Sequence, residues 1–237
     1  LIFSTAINMG FGMIEGQGVS PKVMNGHANI LQSGRWEFDL TGLSDNGERF
    51  VQKWSYDAEK GALYPAQFDH SDLDKLLKES VTNGKVDYAV IKDTPHLKRF
   101  LKKIAKIKKG ELESFSREEQ LAFWINAYNA IMLKVLADNY PDGSAESIAK
   151  TVGKKKFKVA RKKLTLGQIR DNILRDTFKD DRVDFSLVST SWDSPVPRAE
   201  AYCGRLLEYQ LDEAARNFIN KPHTGNETNK PYLSEVD

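Results

Sequence analysis

A single cysteine, Cys203, among 237 residues leaves the chain without an internal disulfide, a four-thiolate zinc site or an iron–sulfur cluster of its own. The four histidines, His27, His70, His96 and His223, form no His-x-x-x-His pair. An EF-hand loop is absent too, so no metal is expected. Gly-x-Gly-x-x-Gly and Walker-type phosphate loops are missing, and no cofactor is expected. No run of about 20 apolar residues occurs, so nothing reads as a membrane-spanning helix. Charge of one sign is not in excess either. The 35 Lys and Arg against 33 Asp and Glu leave +2, too little by itself to imply a polyanionic partner.

What is there suits a globular chain. Hydrophobic residues make up 40% and charged residues 29%, which excludes collagen and low-complexity disorder. The length allows one large domain or two small ones. Three segments are expected: residues 1–67 as an N-terminal extension, 68–221 as the main domain, and 222–237 as a polar tail. The uncharged stretch Leu1–Ile14 reads either as the remnant of a signal peptide or lipid-anchored leader, or as a short terminal strand. Within 15–67, Trp36, Phe38 and Leu40 alternate with Glu37 and Asp39, the mark of a half-buried strand. Asp45-Asn46-Gly47 is a turn signal, and Phe50, Gln52 and Trp54 mark the return strand.

From Phe68 helices dominate. Ser71 with Asp74 resembles a capping box ahead of Leu73, Leu76 and Leu77. Val86–Ile91 reads as a short strand. Thr94-Pro95 opens a helix with Leu97, Phe100, Leu101 and Ile104 on one face. Ser116 with Glu119 caps a helix over about 120–139 that Pro141 stops. Its apolar residues surround the axis, which marks a central, buried helix. Asn126 and Asn129 then sit among apolar neighbours, where an unpartnered amide costs about 1–3 kcal/mol, so each needs a partner. Phe157–Leu164 reads as a hairpin, Thr165 with Gln168 caps another helix, and Val183–Leu187 alternates as a strand. A last amphipathic helix covers about 204–220. The fold class is α+β: a buried central helix and several amphipathic helices packed on a small β-sheet.

Ser116-Arg-Glu-Glu-Gln-Leu-Ala-Phe-Trp-Ile-Asn-Ala-Tyr-Asn-Ala130 closely resembles the hallmark of the domain of unknown function 547 family. Phe68–Leu77, Gly84–Tyr88, Lys163–Ile169, Asp181–Phe185, Arg198–Tyr202 and Gln210–Arg216 resemble its flanking segments in the same order. The resemblance covers roughly residues 68–221 and implies an α+β domain. It attaches no reaction. Many bacterial members are exported, which with the apolar N-terminus favours a periplasmic or secreted location. The family's cysteine pair lies in a segment resembling Cys-Ala-Ser-x-Ser-Cys-Pro-Pro. The matching stretch here is Ser189-Thr-Ser-Trp-Asp-Ser194-Pro-Val, with a hydroxyl at both thiol positions.

Three functions follow. The first is a binding or scaffold domain whose family cysteine positions are Ser189 and Ser194. The second is a hydrolase or acyl-transferase, with Ser189 or Ser194 as nucleophile and Asn126 and Glu119 in support. A serine there needs a neighbouring base, which only folding can supply. Asn126 and Asn129 would donate to a substrate carbonyl or oxyanion, and Asn129 and Arg198 are the candidate substrate contacts. Against this stand plainer roles: strand-end hydroxyls, amides that tie a helix to its neighbours, and Glu119 as a helix cap. Cys203, at the start of the last helix, is either a dipole-stabilised thiolate or an incidental thiol. The third function is a basic surface module. Lys98–Lys109 and Lys154–Lys163 each carry seven Lys or Arg residues. If they merge in space, they would hold an anionic polymer or membrane surface.

Overall fold

The computed structural model describes residues 25–30, 35–43, 49–57, 62–190, 194–195 and 197–220. The stretch Leu1–Ile14, the Asp45–Gly47 turn and the tail from Pro222 lie outside them. The chain forms two compact units. One takes in the residues before Phe68 together with Gly110–Ser116, and the other is built from Phe68–Lys109 and from Arg117 onward.

The first unit carries an antiparallel meander in the order β1-β2-β3-β4. Its strands are β1 (Asn25–Ile30), β2 (Arg35–Leu43), β3 (Arg49–Asp57) and β4 (Ala62–Pro65). The expected return strand is present. Trp54 stands opposite Phe38 and Gln52 opposite Leu40, so the two alternating runs meet in register.

The second unit is helical. In chain order come α1 (Ser71–Ser80), α2 (Tyr88–Asp93), α3 (Pro95–Lys106), the short α4 (Lys109–Glu113), which from Gly110 onward belongs to the first unit, α5 (Arg117–Asn139) and α6 (Ala145–Lys154). Next come α7 (Leu166–Gln168) and, at the end, α8 (Leu207–Ile219). Two small hairpins pair β5 (Val81–Thr82) with β6 (Lys85–Val86) and β7 (Phe157–Val159) with β8 (Lys162–Leu164). The architecture is α+β, as the sequence pattern implies.

Helix α5 is central because it has no polar face long enough to keep in water. Phe123, Ile125, Ile131 and Leu133 are at most 1% exposed, each burial contributing about 1.5–3 kcal/mol. Around it, α1 supplies Leu73 and Leu76, and α3 supplies Phe100 and Ile104. The Phe68 ring joins the layers, standing edge-on to Phe123 at 4.9 Å and to Phe100 at 6.1 Å. At the N-terminus of α5, Arg117 donates to the Phe178 carbonyl at 2.5 Å and lies over the Phe178 ring.

Two expected strands are helical, for a common reason. Val86–Ile91 gives way after Val86 to α2, because Asp87 accepts from the N–H groups of Ala89 and Val90 at 3.0 and 3.1 Å. Tyr88 and Ile91, three apart, are the buried pair. Val183–Leu187 lies largely in a 3-10 helix, Asp181–Ser186, opened by Asp180 accepting from Arg182 N–H at 3.0 Å. An aspartate side chain bonding the backbone two residues on favours a helical start over an extended one, and overrides weak β-propensity. The capping box expected at Ser71 is also absent. Ser71 is the first helical residue and bonds Asp69, while Asp74 accepts from Ala201 N–H at 3.2 Å. The box at Thr165–Gln168 does form, but its helix widens into a π-helix over Ile169–Phe178. Asp87→Ala removes the α2 cap, and should lower the unfolding free energy by about 1 kcal/mol in urea melts. An unchanged midpoint would mean that packing alone holds α2.

Candidate functional site

Glu119 and Asn126 lie two turns apart on α5, and both are 1% exposed. Glu119 Oε1 accepts from Phe68 N–H at 2.9 Å and faces His70 Nε2 at 2.9 Å, while Oε2 accepts from Gly204 N–H at 2.7 Å. The amide of Asn126 donates to the Tyr202 carbonyl at 2.7 Å and to His70 Nδ1 at 3.1 Å, and its oxygen accepts from Tyr202 N–H at 3.0 Å. His70 therefore suits the tautomer with its proton on Nε2. It resembles the base of a catalytic triad, with a carboxylate orienting one nitrogen. The other nitrogen, however, meets an amide of the fold where a base would meet a nucleophile. Sequence reading passed over His70 because it stands in no histidine motif, and its partners are 49 and 56 residues away.

The approach at Gly204 is too close for a side chain. A Cβ there would lie 2.8 Å from the Glu119 backbone nitrogen and 2.9 Å from Oε2. Between the two anchored residues, Cys203 is half-buried, and burial pushes its thiol up, away from a thiolate.

Asn129 performs the same kind of tie further along α5. Its amide donates to the Ser186 carbonyl at 2.8 Å, and its oxygen accepts from Val188 N–H at 2.9 Å. Downstream, Ser194 is buried, accepts from Ser189 N–H at 2.8 Å and donates to the Pro195 carbonyl at 3.3 Å. The bonds of the Ser194 hydroxyl are thus to backbone. Arg198 pairs with Glu213 and, at 2.6 Å, with Glu200, and lies over the Tyr202 ring at 6.0 Å. It also lines a pocket together with Pro195 and Pro197.

The two basic segments meet. At the turn between β7 and β8, Ala160 and Arg161 have φ of 46° and 63°, the left-handed pair that a two-residue hairpin loop requires. Their N–H groups donate to the Ile104 and Ala105 carbonyls at 2.8 and 3.3 Å, and Arg161 Nε donates to the Lys106 carbonyl at 3.1 Å. The end of α3 is thereby satisfied by the hairpin. Lys154, Lys155, Lys156, Lys158, Lys162 and Lys163 are exposed, as are Lys98, Lys102 and Lys106. A shallow notch is lined by Lys150, Thr151, Lys154 and Lys155.

The other flank of α3 is neutralised. Lys103 bonds Asp72 at 2.6 Å and Asp69 at 2.5 Å, Arg99 bonds Asp72 at 2.8 Å, and His96 Nδ1 lies 3.2 Å from Asp72. Burial pushes the Asp72 carboxyl up, but the bonds from Lys103, Arg99 and His96 prevail and hold it well below the usual carboxylate range. Among the described residues no cluster of His, Cys, Asp or Glu is arranged to hold a metal ion, and no helix is long and apolar enough to cross a membrane.

Residues 112–219 match the family model described as a protein of unknown function, DUF547. The family resemblance carried by Ser116–Ala130 is thus borne out over that stretch. The match begins beyond Phe68–Leu77 and Gly84–Tyr88, which the sequence resemblance also included. No curated protein and no solved structure matches the chain.

Two outcomes test this geometry. Gly204→Ala and Glu119→Gln should each lower the thermal midpoint, since the first forces a backbone clash and the second turns a donor toward an N–H, costing about 1–3 kcal/mol. Midpoints equal to wild type would contradict the tie. Asp72, with its folded pKa depressed, contributes stability that is present above about pH 4 and lost as pH falls below it. Asp72→Asn should therefore flatten the dependence of urea stability on pH between about 5 and 2. An equally steep loss in the variant would place the acid sensitivity elsewhere.

Proposed function

We propose that this protein is a binding domain that acts through charge, and that its ligand is an extended anionic polymer. The observation carrying the reading is the pair of bonds from Ala160 and Arg161 to the end of α3, which fix two lysine-rich segments side by side. Lys98, Lys102 and Lys106 recur every four residues along α3, a ridge rising about 6 Å per step. Asp69 and Asp72 engage Arg99 and Lys103, leaving the ridge without a carboxylate partner among the described residues. The hairpin and the notch at the end of α6 extend the positive field.

The ligand chemistry follows from what the surface offers. Lysine ammonium groups are point charges without the fork geometry that reads a base edge or clamps one carboxylate. Aromatic platforms for stacking are sparse here: Phe100 is buried, and Phe157 is half-buried beneath the Lys155 ammonium. Such a surface senses the charge density of a polymer and not its sequence. A membrane surface is less well suited, because among the described residues the exposed large hydrophobic ones, Leu206, Tyr209 and Ile219, lie on other elements, and stable peripheral anchoring adds apolar insertion to charge. A serine hydrolase is less well supported as well. The Ser194 hydroxyl bonds backbone, and both nitrogens of His70 have partners within the fold.

Fluorescence anisotropy with a labelled DNA duplex tests the reading. Binding should weaken linearly in log–log form with salt, with a slope of about −4.5 if about five phosphates are neutralised. Lys102→Glu with Lys158→Glu should weaken binding about 10-fold or more at fixed salt. Absence of duplex binding at low salt, or binding that salt does not weaken, would overturn it. So would preference for vesicles of anionic phosphatidylglycerol over the duplex.

A further inference from the structure

A pocket of 310 Å³ opens among four segments of the helical unit: the β5–β6 turn, the 3-10 helix at Asp181–Ser186, the loop carrying Arg198, and the end of α8. That volume is at the lower end of the range for small-molecule sites. One side is aromatic, with Phe185 and Phe218 held at 5.1 Å between ring centroids and both half-buried. Pro195 and Pro197 give a second apolar side, and Ala214 keeps the interior open. Flat, rigid surfaces of this kind favour a ring, which fills the space with little loss of conformational freedom.

Among the described lining residues Arg198 is the charged one, and its pairing decides the charge of the ligand. Its terminal nitrogens are paired with Glu213 and Glu200. Two carboxylates already face one guanidinium, so a third negative charge entering the pocket meets net repulsion. A neutral ligand escapes that repulsion, so the pocket selects against charge.

We propose that this pocket binds a small uncharged molecule carrying one apolar ring. The proposal is independent of the basic surface, which lies on α3, α6 and the β7–β8 hairpin. It gives Arg198, with its paired carboxylates, the role of excluding an anion and not of capturing one.

The test uses the full chain and two probes of nearly equal shape, N-acetyl-phenylalanine amide and ionised N-acetyl-phenylalanine, followed by ligand-observed NMR titration. The amide should bind, and the carboxylate about 10-fold or more weakly, as expected for an uncompensated charge beside Glu200 and Glu213. Ala214→Leu fills the interior and should abolish amide binding. Asn217→Trp, at an exposed position of the lining, should obstruct the mouth without entering the core and keeps the test valid should the first variant fold poorly. No amide binding to the wild type, equal binding of the carboxylate, or amide binding that both folded variants retain would each overturn the proposal. Loss of duplex binding through changes on α3 should leave amide binding unchanged.

Discussion

The helical unit depends on a carboxylate and an amide placed where a helix would otherwise bury only hydrocarbon. Glu119 and Asn126 sit among the fully buried residues of α5, and between them bond backbone groups of Phe68, Tyr202 and Gly204 as well as both nitrogens of His70. Burying a carboxylate is costly unless bonds replace water. Here both oxygens receive a backbone N–H. Truncating one member leaves the others unsatisfied, so the set specifies one arrangement of distant segments. Asn129 extends this to Ser186 and Val188. These polar groups are spent on holding the fold, which is why their resemblance to catalytic parts does not by itself amount to a site.

With α5 fixed, the surface chemistry follows from how α3 is used. Its inner face gives Leu97, Phe100 and Ile104 to the core. One flank gives Arg99 and Lys103 to the acids of α1 and its approach, a set of bonds strong enough to hold the Asp72 carboxyl down against burial. The remaining flank keeps its lysines for solvent. The C-terminal carbonyls of α3 recruit the β7–β8 turn, and with it the second lysine-rich segment. In a chain of nearly balanced charge, two lysine-rich segments thus adjoin while many of the described acids pair elsewhere, as with Asp180, Glu208 and Asp212 around Arg182.

Much of the frame was legible in sequence. The all-round apolar pattern of α5, the Pro95 start of α3, the β7–β8 hairpin and the β2–β3 pairing all follow from periodicity and turn chemistry. The expected strands at Val86–Ile91 and Val183–Leu187 failed because one aspartate beside each, Asp87 and Asp180, turned the backbone toward helix. The π-helix at Ile169–Phe178 has no periodicity of its own to read. For the site, the need of Asn126 and Asn129 for partners was legible from burial alone. That His70 and Gly204 would supply the other half of the Glu119 set was not, since nothing local links residues 49 and 85 positions away. The meeting of the two lysine segments was equally invisible, resting on main-chain bonds at a helix end.

The most direct measurement of the central claim, that these two segments form one binding surface, is lysine acetylation footprinting with and without a saturating DNA duplex at low salt. The account predicts joint protection of Lys102 and Lys106 on α3 with Lys158 and Lys162 on the hairpin, while Lys134 and Lys179 keep their reactivity. Protection of one segment alone, or uniform reactivity throughout, would contradict it.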